Sequence, residues 1–386
     1  MKIAIISLHH IESSLCLAKY LAKLGHEIDY YFMGSWLSHY NSPGVIIHNQ
    51  KRHIGIYSLT NKEIPELIQY TKGLPVKYYM LNLFHFRPMF HFLNKLYLKK
   101  ATKKIKAKHY NAIDIVGQSY GIGLLHKYLK VENITHTLHE IGSHFEGKNQ
   151  DVLVDSIVCN SGKVILHSKS LQERLKATDV NNKTKSIVIP FGMFETTLLY
   201  EEEVELPFEI SNKNVTLLFY GYISPYKGVD ILEEACRIMN NKGIKYNIII
   251  AGSGYNPSID YFCNMPNAFV INRFLSSNEI IKLHRISDVV VMPYKSASQS
   301  GIIPTSFLLG CPVIGTRVGA IPEVLSDGYN GLLCEPNNPQ VLADLIEQYI
   351  CNPELRAKLK YGVQTFGKGD KYDWNIIAEQ TEKFLR

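Results

Sequence analysis

The stretch Val215-Thr-Leu-Leu-Phe-Tyr220-Gly221-Tyr222-Ile-Ser-Pro-Tyr-Lys227-Gly228 decides how this chain folds. Its first six residues carry no charge and read as a strand buried on both faces. Gly221 ends the run, and Lys227-Gly228 opens a helical pattern. Strand, glycine turn and helix form the repeating unit of parallel α/β sheets. The same turn suits an anion, because glycines admit close backbone approach and a lysine supplies a mobile point charge. An ordinary turn with a solvated lysine fits those residues as well.

Working outward, the second half continues with strand candidates at Tyr246–Ala251, Phe269–Ile271, Val289–Met292 and Pro312–Gly315. The first half offers Lys2–Leu8, Glu27–Phe32, Ile113–Gly117, Ile134–Leu138, Val164–His167 and Ser186–Ile189. Helical patterns lie between them. One begins near Ser13–Ser14, lines up Leu17, Leu21 and Leu24, and stops at Gly25. Glu201-Glu202-Glu203 followed by Pro207 reads as a linker. The fold expected is α/β, with two Rossmann-like doubly wound domains, residues 1–200 and 208–369, facing across a cleft. In such sheets ligands bind at the carboxyl ends of strands, where helix N-termini favour anions.

Composition sets bounds. With 386 residues, 46% apolar and 20% charged, each half can bury its own core. The seven cysteines show no paired spacing and read as small buried side chains in a reducing compartment. The opening MKIAIISLHH is too short an apolar run for a signal peptide, and no run of about 18 apolar residues follows. A cytoplasmic protein is expected. The net charge of +7 is concentrated in one place. No acidic residue occurs between Glu66 and Asp114, where Lys72, Lys77, Arg87 and the lysines from Lys95 to Lys108 fall. The rest of the chain is near neutral, which argues against general nucleic-acid binding.

Two further stretches carry polar chemistry beside strand ends. Ser298-Gln-Ser300-Gly301-Ile302-Ile-Pro-Thr305 has the small polar residues, glycine and early proline of a helix start open to phosphate, although N-capping by Ser300 accounts for the same pattern. Ile134–Glu140 ends a strand in His139 and Glu140, and a histidine there is more often structural than catalytic. Absent are a D-x-D metal site, a G-x-G-x-x-G after the first strand (Ser7-Leu8-His9-His10-Ile11-Glu12 stands there), a P-loop, H-E-x-x-H and G-x-S-x-G.

Taken in order, G-x-I-x-x-Y-K-G (221–228), A-G-x-G (251–254), S-D-V-V-V-x-P-Y (287–294), G-C-P-V-I-G-T-x-V-G-A-I-P-E (310–323) and D-G-Y-N-G-L-L (327–333) resemble glycosyltransferase family 4, retaining enzymes of the GT-B fold. The first half agrees more loosely through Ala18–Glu27, Thr137–Glu140, His167–Ser170 and Ile189–Gly192. The resemblance implies a metal-independent glycosyltransferase with no cofactor, using a UDP- or GDP-sugar. Its acceptor would be a glycan or lipid-linked saccharide in bacterial surface-polysaccharide assembly. Lys227 would hold the donor diphosphate among Gly221, Tyr222 and Gly252, and the backbone of Ser300, Gly301 and Ile302 would cap it. Arg273 and Phe274 would lie near the base, His139 would touch the sugar, and His10 and Glu140 would stand on the sugar or acceptor side. The last helix, about residues 370–386, would pack back on the first domain. Two positions depart from the pattern. Tyr222 replaces an arginine, and Ala297 and Thr305 replace two glutamates; Arg273 is the candidate for the missing charge.

The basic segment 83–108 has helical spacing, with Leu83, Phe86, Phe90, Leu93 and Tyr97 along one face. It could be an ordinary half-buried helix or a peripheral contact with the inner face of the plasma membrane. The resemblance favours the membrane. A nucleotide-sugar epimerase, a non-catalytic nucleotide- or glycan-binding subunit and, least favoured, a nicotinamide oxidoreductase remain as alternatives.

Overall fold

The computed structural model describes residues 1–36, 41–42, 45–51, 53–85, 88–117, 120–129, 133–141, 162–178, 184–210 and 213–386. They form two compact units, Met1–Tyr200 with Gly369–Arg386, and Glu201–Lys368.

The first unit is built on β1 (Lys2–Ser7), β2 (Glu27–Ser35), β3 (Asn41–Ser42), β4 (Val45–Ile46), β5 (Gly55–Ser58), β6 (Val76–Leu83), β7 (Ala112–Val116), β8 (Ile134–Leu138), β9 (Lys163–Leu166) and β10 (Lys185–Val188). Its main sheet has the order β10-β9-β8-β7-β1-β2-β6-β5. All pairs are parallel except β5 on β6, while β3 and β4 form a separate antiparallel ribbon. Strand periodicity splits the core. Ile3 and Ile5 pack with Leu15 and Leu21 of α1 (Ile11–Lys23) and with Ala378 and Leu385. Ala4 and Ile6 point to the other face, with Leu98 of α3 (His91–Lys106) and Leu125 of α4 (Tyr120–Leu129). Each fully buried aliphatic side chain contributes about 1.5–3 kcal/mol. The short helix α2 (Pro65–Tyr70) follows β5.

The terminal helix Trp374–Leu385 belongs to this unit. Trp374 Nε1 donates to Met193 O at 2.8 Å. Gly192 makes room for it: a Cβ there would stand 2.6 Å from Tyr372 O and 2.8 Å from Trp374 Nε1.

In the second unit β11 (Thr216–Tyr220), β12 (Asn247–Ala251), β13 (Ala268–Ile271), β14 (Val289–Met292), β15 (Val313–Thr316) and β16 (Gly331–Cys334) form a parallel sheet ordered β13-β12-β11-β14-β15-β16. Both units are thus doubly wound α/β, as the alternation of apolar runs implies. Strands β3, β4, β5, β6 and β16 were not among the expected ones.

The basic segment differs from its expected form. Leu83 ends strand β6, Phe90 sits in a 3₁₀ turn, and α3 starts only at His91. Its buried residues are Asn94, Leu98, Ala101, Thr102 and Ile105, so Leu93 faces solvent and Tyr97 lies at the edge of the core. The apolar face proposed from spacing alone is therefore incorrect, because a strand runs through its first residues. Phe86 and Arg87, like Cys159, lie outside the described residues. Cys16, Cys236, Cys311 and Cys334 are buried thiols, whereas Cys263 and Cys351 are exposed. Among the described residues no helix is long and apolar enough to cross a membrane.

Candidate functional site

In the second unit the strand order reverses at β11, which has β12 on one side and β14 on the other. Ligands of doubly wound sheets bind at such a switch point, outside the carboxyl ends of the two strands. The loops there are Gly221–Gly228 after β11 and Pro293–Gly301 after β14. They are tied to each other: Lys295 N–H donates to Tyr226 O at 2.7 Å, and Lys295 Nζ pairs with Asp230 at 2.5 Å. A Cβ on Gly228, whose φ is +69°, would come within 1.9 Å of Pro293 O.

Lys227 ends the 3₁₀ turn Pro225–Lys227 and is only 8% exposed. Its Nζ stands 5.3 Å from the centroid of the Tyr294 ring. A Cβ on Gly221 would be 2.7 Å from that Nζ, so glycine lets the ammonium lie against the turn. Among the described residues no carboxylate forms an ion pair with Lys227. Burial holds its amine below the ordinary lysine range. A cation withdrawn from water without a counter-charge favours an incoming anion.

Gly252 supports the same turn. Its φ is +144°, and a Cβ would press to 1.9 Å from Gly221 O. The helix Ile302–Leu308 starts beside it, since Ile302 Cδ1 lies 3.5 Å from the Cβ position of Gly221. Gly301 is the N-cap residue and Ile302 N–H reaches Ser300 Oγ at 3.3 Å. Thr305 Oγ1 donates to Gly301 O at 3.0 Å. Beneath, Ser306 Oγ donates to Ile302 O at 2.8 Å and lies 3.2 Å from Nε2 of buried His284, a polar brace under this short helix. Gly319 packs on Ala297, where a Cβ would stand 1.7 Å from Ala297 O.

The structure thus gathers Gly221, Lys227, Gly252 and the 300–305 segment. Tyr222 and Phe274 point into solvent. Arg273 is committed elsewhere: its guanidinium pairs with Glu279 at 2.5 and 3.1 Å and holds that carboxyl down to about 2. Glu279 closes a capping box with Ser276, so this pair also fixes a helix start.

In the first unit the strand ends carry histidines. His10 follows β1 at φ +58° as the N-cap residue of α1. Its ring stacks on His139 beyond β8, with centroids 3.5 Å apart and planes within 5°. His139 is 2% exposed, and its Nε2 lies 3.3 Å from Nε2 of His167 beyond β9. His167 Nδ1 sits 2.8 Å from Ile189 O. A carbonyl only accepts, so His167 carries its proton on Nδ1 and its Nε2 accepts from His139 Nε2–H. Burial keeps both rings neutral: the His167 pKa is lowered to about 4, and that of His139 lies well below the ordinary value. The tautomers place the lone pair of His139 on Nδ1.

Beside them, Asp114 on β7 accepts from Thr137 Oγ1 at 2.8 and 3.0 Å, and burial pushes its carboxyl up to about 7. Asp114, Thr137, His139, His167, Phe191 and Trp374 border a cavity of about 20 Å³, room for about one water. Glu140, next after His139, is half-buried. Sequence reasoning found His10 and His139 but gave no role to His167, which its place just after β9 marked, or to Asp114, which lies in the middle of β7. Among the described residues no group of three or more His, Cys, Asp or Glu is placed to hold a metal ion.

Comparison with known proteins places these features in context. Residues 202–365, nearly the whole second unit, match the family model described as "Glycosyl transferases group 1". An uncharacterized glycosyltransferase of Methanocaldococcus jannaschii is 33% identical over 219 residues, covering 56% of this chain and 56% of that protein. The chain spans little more than half the length of curated relatives such as this one. Sucrose-phosphate synthase from Thermosynechococcus elongatus superposes with a TM-score of 0.69 at 16% identity, covering 100% of this chain and 98% of that one. Anabaena HepE in complex with UDP-glucose gives a TM-score of 0.64 at 18% identity, covering 100% and 99%. The chain has the GT-B fold.

Proposed function

We propose that this protein is a glycosyltransferase that moves a sugar from a UDP- or GDP-sugar, with retention and without a metal, to a glycan or lipid-linked saccharide in surface-polysaccharide assembly. The observation that carries this reading is Lys227, buried at the switch point of the second unit with no carboxylate partner among the described residues. The family match over that unit and the UDP-glucose complex of a protein with the same fold support it.

In this mechanism the donor diphosphate lies on Lys227, against the Gly221 turn and the backbone N–H groups at Gly301 and Ile302. As the bond from sugar to phosphate breaks, charge grows on the departing oxygen. A preorganised donor at that point contributes about 3–4 kcal/mol to the transition state. His139, neutral and with His10 stacked on it, would touch the sugar of the donor. It orients the sugar rather than removing a proton. The acceptor hydroxyl attacks from the leaving-group side and passes its proton to a phosphate oxygen, so no side-chain base is assigned. Because Arg273 is matched by Glu279, Lys227 carries the positive charge of the site without it.

A second reading is favoured by Ala297 and Thr305: a subunit that binds the nucleotide without turning it over. Incubation with a panel of nucleotide sugars, with the released hexose followed by NMR, separates the two. Slow hydrolysis of one donor giving the same anomer, lost in Lys227→Ala, supports the transferase. Stabilisation by a donor with no release favours the binding subunit. The opposite anomer would refute retention.

A further inference from the structure

Lys108 and Lys19 each stand over a tyrosine ring and also pair with a carboxylate. Lys108 Nζ lies 3.6 Å from the centroid of Tyr79 and 2.8 Å from Asp29, and Lys19 Nζ lies 3.8 Å from the centroid of Tyr70 and 2.9 Å from Glu195. Lys227 has the ring without the carboxylate. Its Nζ stands 5.3 Å from the centroid of Tyr294, and among the described residues the ammonium forms no hydrogen bond or ion pair. Tyr294 is 3% exposed. Its ring meets that of Tyr226 edge to face with centroids 6.1 Å apart, and its carbonyl accepts from Thr316 Oγ1 at 2.6 Å. Burial pushes the phenol up and Ser300 opposes that push, yet the hydroxyl forms no hydrogen bond among the described residues. What Tyr294 offers to Lys227 is the face of its ring.

We infer that the face of Tyr294 takes the place of a counter-charge for Lys227, which makes Tyr294 the residue that positions the donor-binding lysine. An aromatic ring carries a quadrupole with a negative face, and it attracts a cation within about 6 Å of its centroid most strongly where water is excluded. A carboxylate here would hold the ammonium too, but it would repel an incoming diphosphate. The ring attracts the cation and carries no net charge to repel the anion. The other groups around Lys227 supply no counter-charge: Tyr226 is a second phenol beside it, and Asp230, three residues on, is paired with Lys295. The inference rests on the transferase reading only for the identity of the anion, because the contact of ring and ammonium is measured without a donor.

The test places phenylalanine and its ring-fluorinated analogues at position 294 of the full chain and follows the titration of the Lys227 side chain by NMR. Tyr294→Phe keeps the ring face and loses an unbonded hydroxyl, so the Lys227 pKa and the unfolding temperature should match wild type. Pentafluorophenylalanine has nearly the same shape but draws charge from the face. It should lower the Lys227 pKa by about one unit, with 3,5-difluorophenylalanine in between. The affinity for UDP-glucose or GDP-mannose should then begin to fall about one pH unit lower than in Tyr294→Phe, the ionisation of the base being common to both proteins. Should the pentafluoro protein unfold, the difluoro protein still reads the effect at smaller amplitude. An equal Lys227 pKa in all the ring variants would overturn the inference. So would a pKa already lowered in Tyr294→Phe, which would assign the contact to the hydroxyl. A graded fall in a protein that binds no nucleotide sugar would uphold the inference and count against the transferase reading.

Discussion

Replacing Lys227 with methionine should stabilise the free protein while abolishing its response to a nucleotide sugar. Lys227 is 8% exposed and has no carboxylate partner among the described residues. Leaving a buried charged donor uncompensated costs about 1–3 kcal/mol, and methionine fills nearly the same volume without that cost. The second unit should therefore unfold at a higher temperature, by roughly 2–4 °C for each kcal/mol gained. The pH dependence has a definite sign. Burial lowers the amine pKa in the folded state, so the unfolded chain binds more protons in the alkaline range. Wild-type stability should rise towards that of Lys227→Met as pH climbs through the folded pKa to the ordinary lysine value. Donor binding should move the other way, because a charge-assisted hydrogen bond is worth about 1.5–3 kcal/mol, or roughly 10- to 150-fold in Kd. Differential scanning calorimetry with and without a UDP- or GDP-sugar reads both effects. A variant less stable than wild type with donor affinity intact would refute the reasoning, since Lys227 would then be a structural residue.

Three other substitutions probe the surrounding geometry. Asp114→Asn should remove a penalty that grows with pH: burial raises the folded pKa to about 7, so stability is lost between the ordinary aspartate value and 7, by up to about 4 kcal/mol. Urea unfolding of both proteins from pH 4 to 8 should show the variant gaining on wild type across that window and level above it. His167→Gln should let the His139 ring turn, lowering kcat about tenfold with the donor KM nearly unchanged, equivalent to roughly 1.4 kcal/mol at the transition state. An equal rise in KM, or a lowered unfolding temperature, would assign His167 to packing instead. Gly252→Ala places a Cβ 1.9 Å from Gly221 O at φ +144°, and should cost about 1–3 kcal/mol in backbone strain while weakening donor binding. Crystallography of the variant should find the Gly221 turn displaced from Lys227.

Legibility in the sequence followed the range of the interactions. Strands β1, β7, β11 and β14 are uninterrupted or nearly uninterrupted apolar runs, because a parallel strand is covered on both faces, and their limits were readable to within a residue or two. Strand β6 escaped because VKYYMLNL leads directly into another apolar stretch, and helical spacing counted across that junction borrowed Leu83 from the strand. Strand β16 escaped because Gly331–Leu333 was read as the end of the D-G-Y-N-G-L-L motif and not as a strand. The Gly221–Lys227 turn was readable because its parts are neighbours in the chain. The His139–His167 pair was not: the two residues are 28 apart, and their contact exists only because β8 and β9 are adjacent in the sheet. Arg273 was misjudged for a local reason, since Glu279 six residues on was not weighed as its partner.

The most direct measurement is a calorimetric titration of the protein with UDP-glucose and GDP-mannose in the presence of a chelator. One of the two should bind at a single site without added metal, and Lys227→Met should abolish the heat. Binding that requires a divalent cation, or that survives the loss of Lys227, would mean that the ammonium at the Gly221 turn is not what receives the donor phosphates.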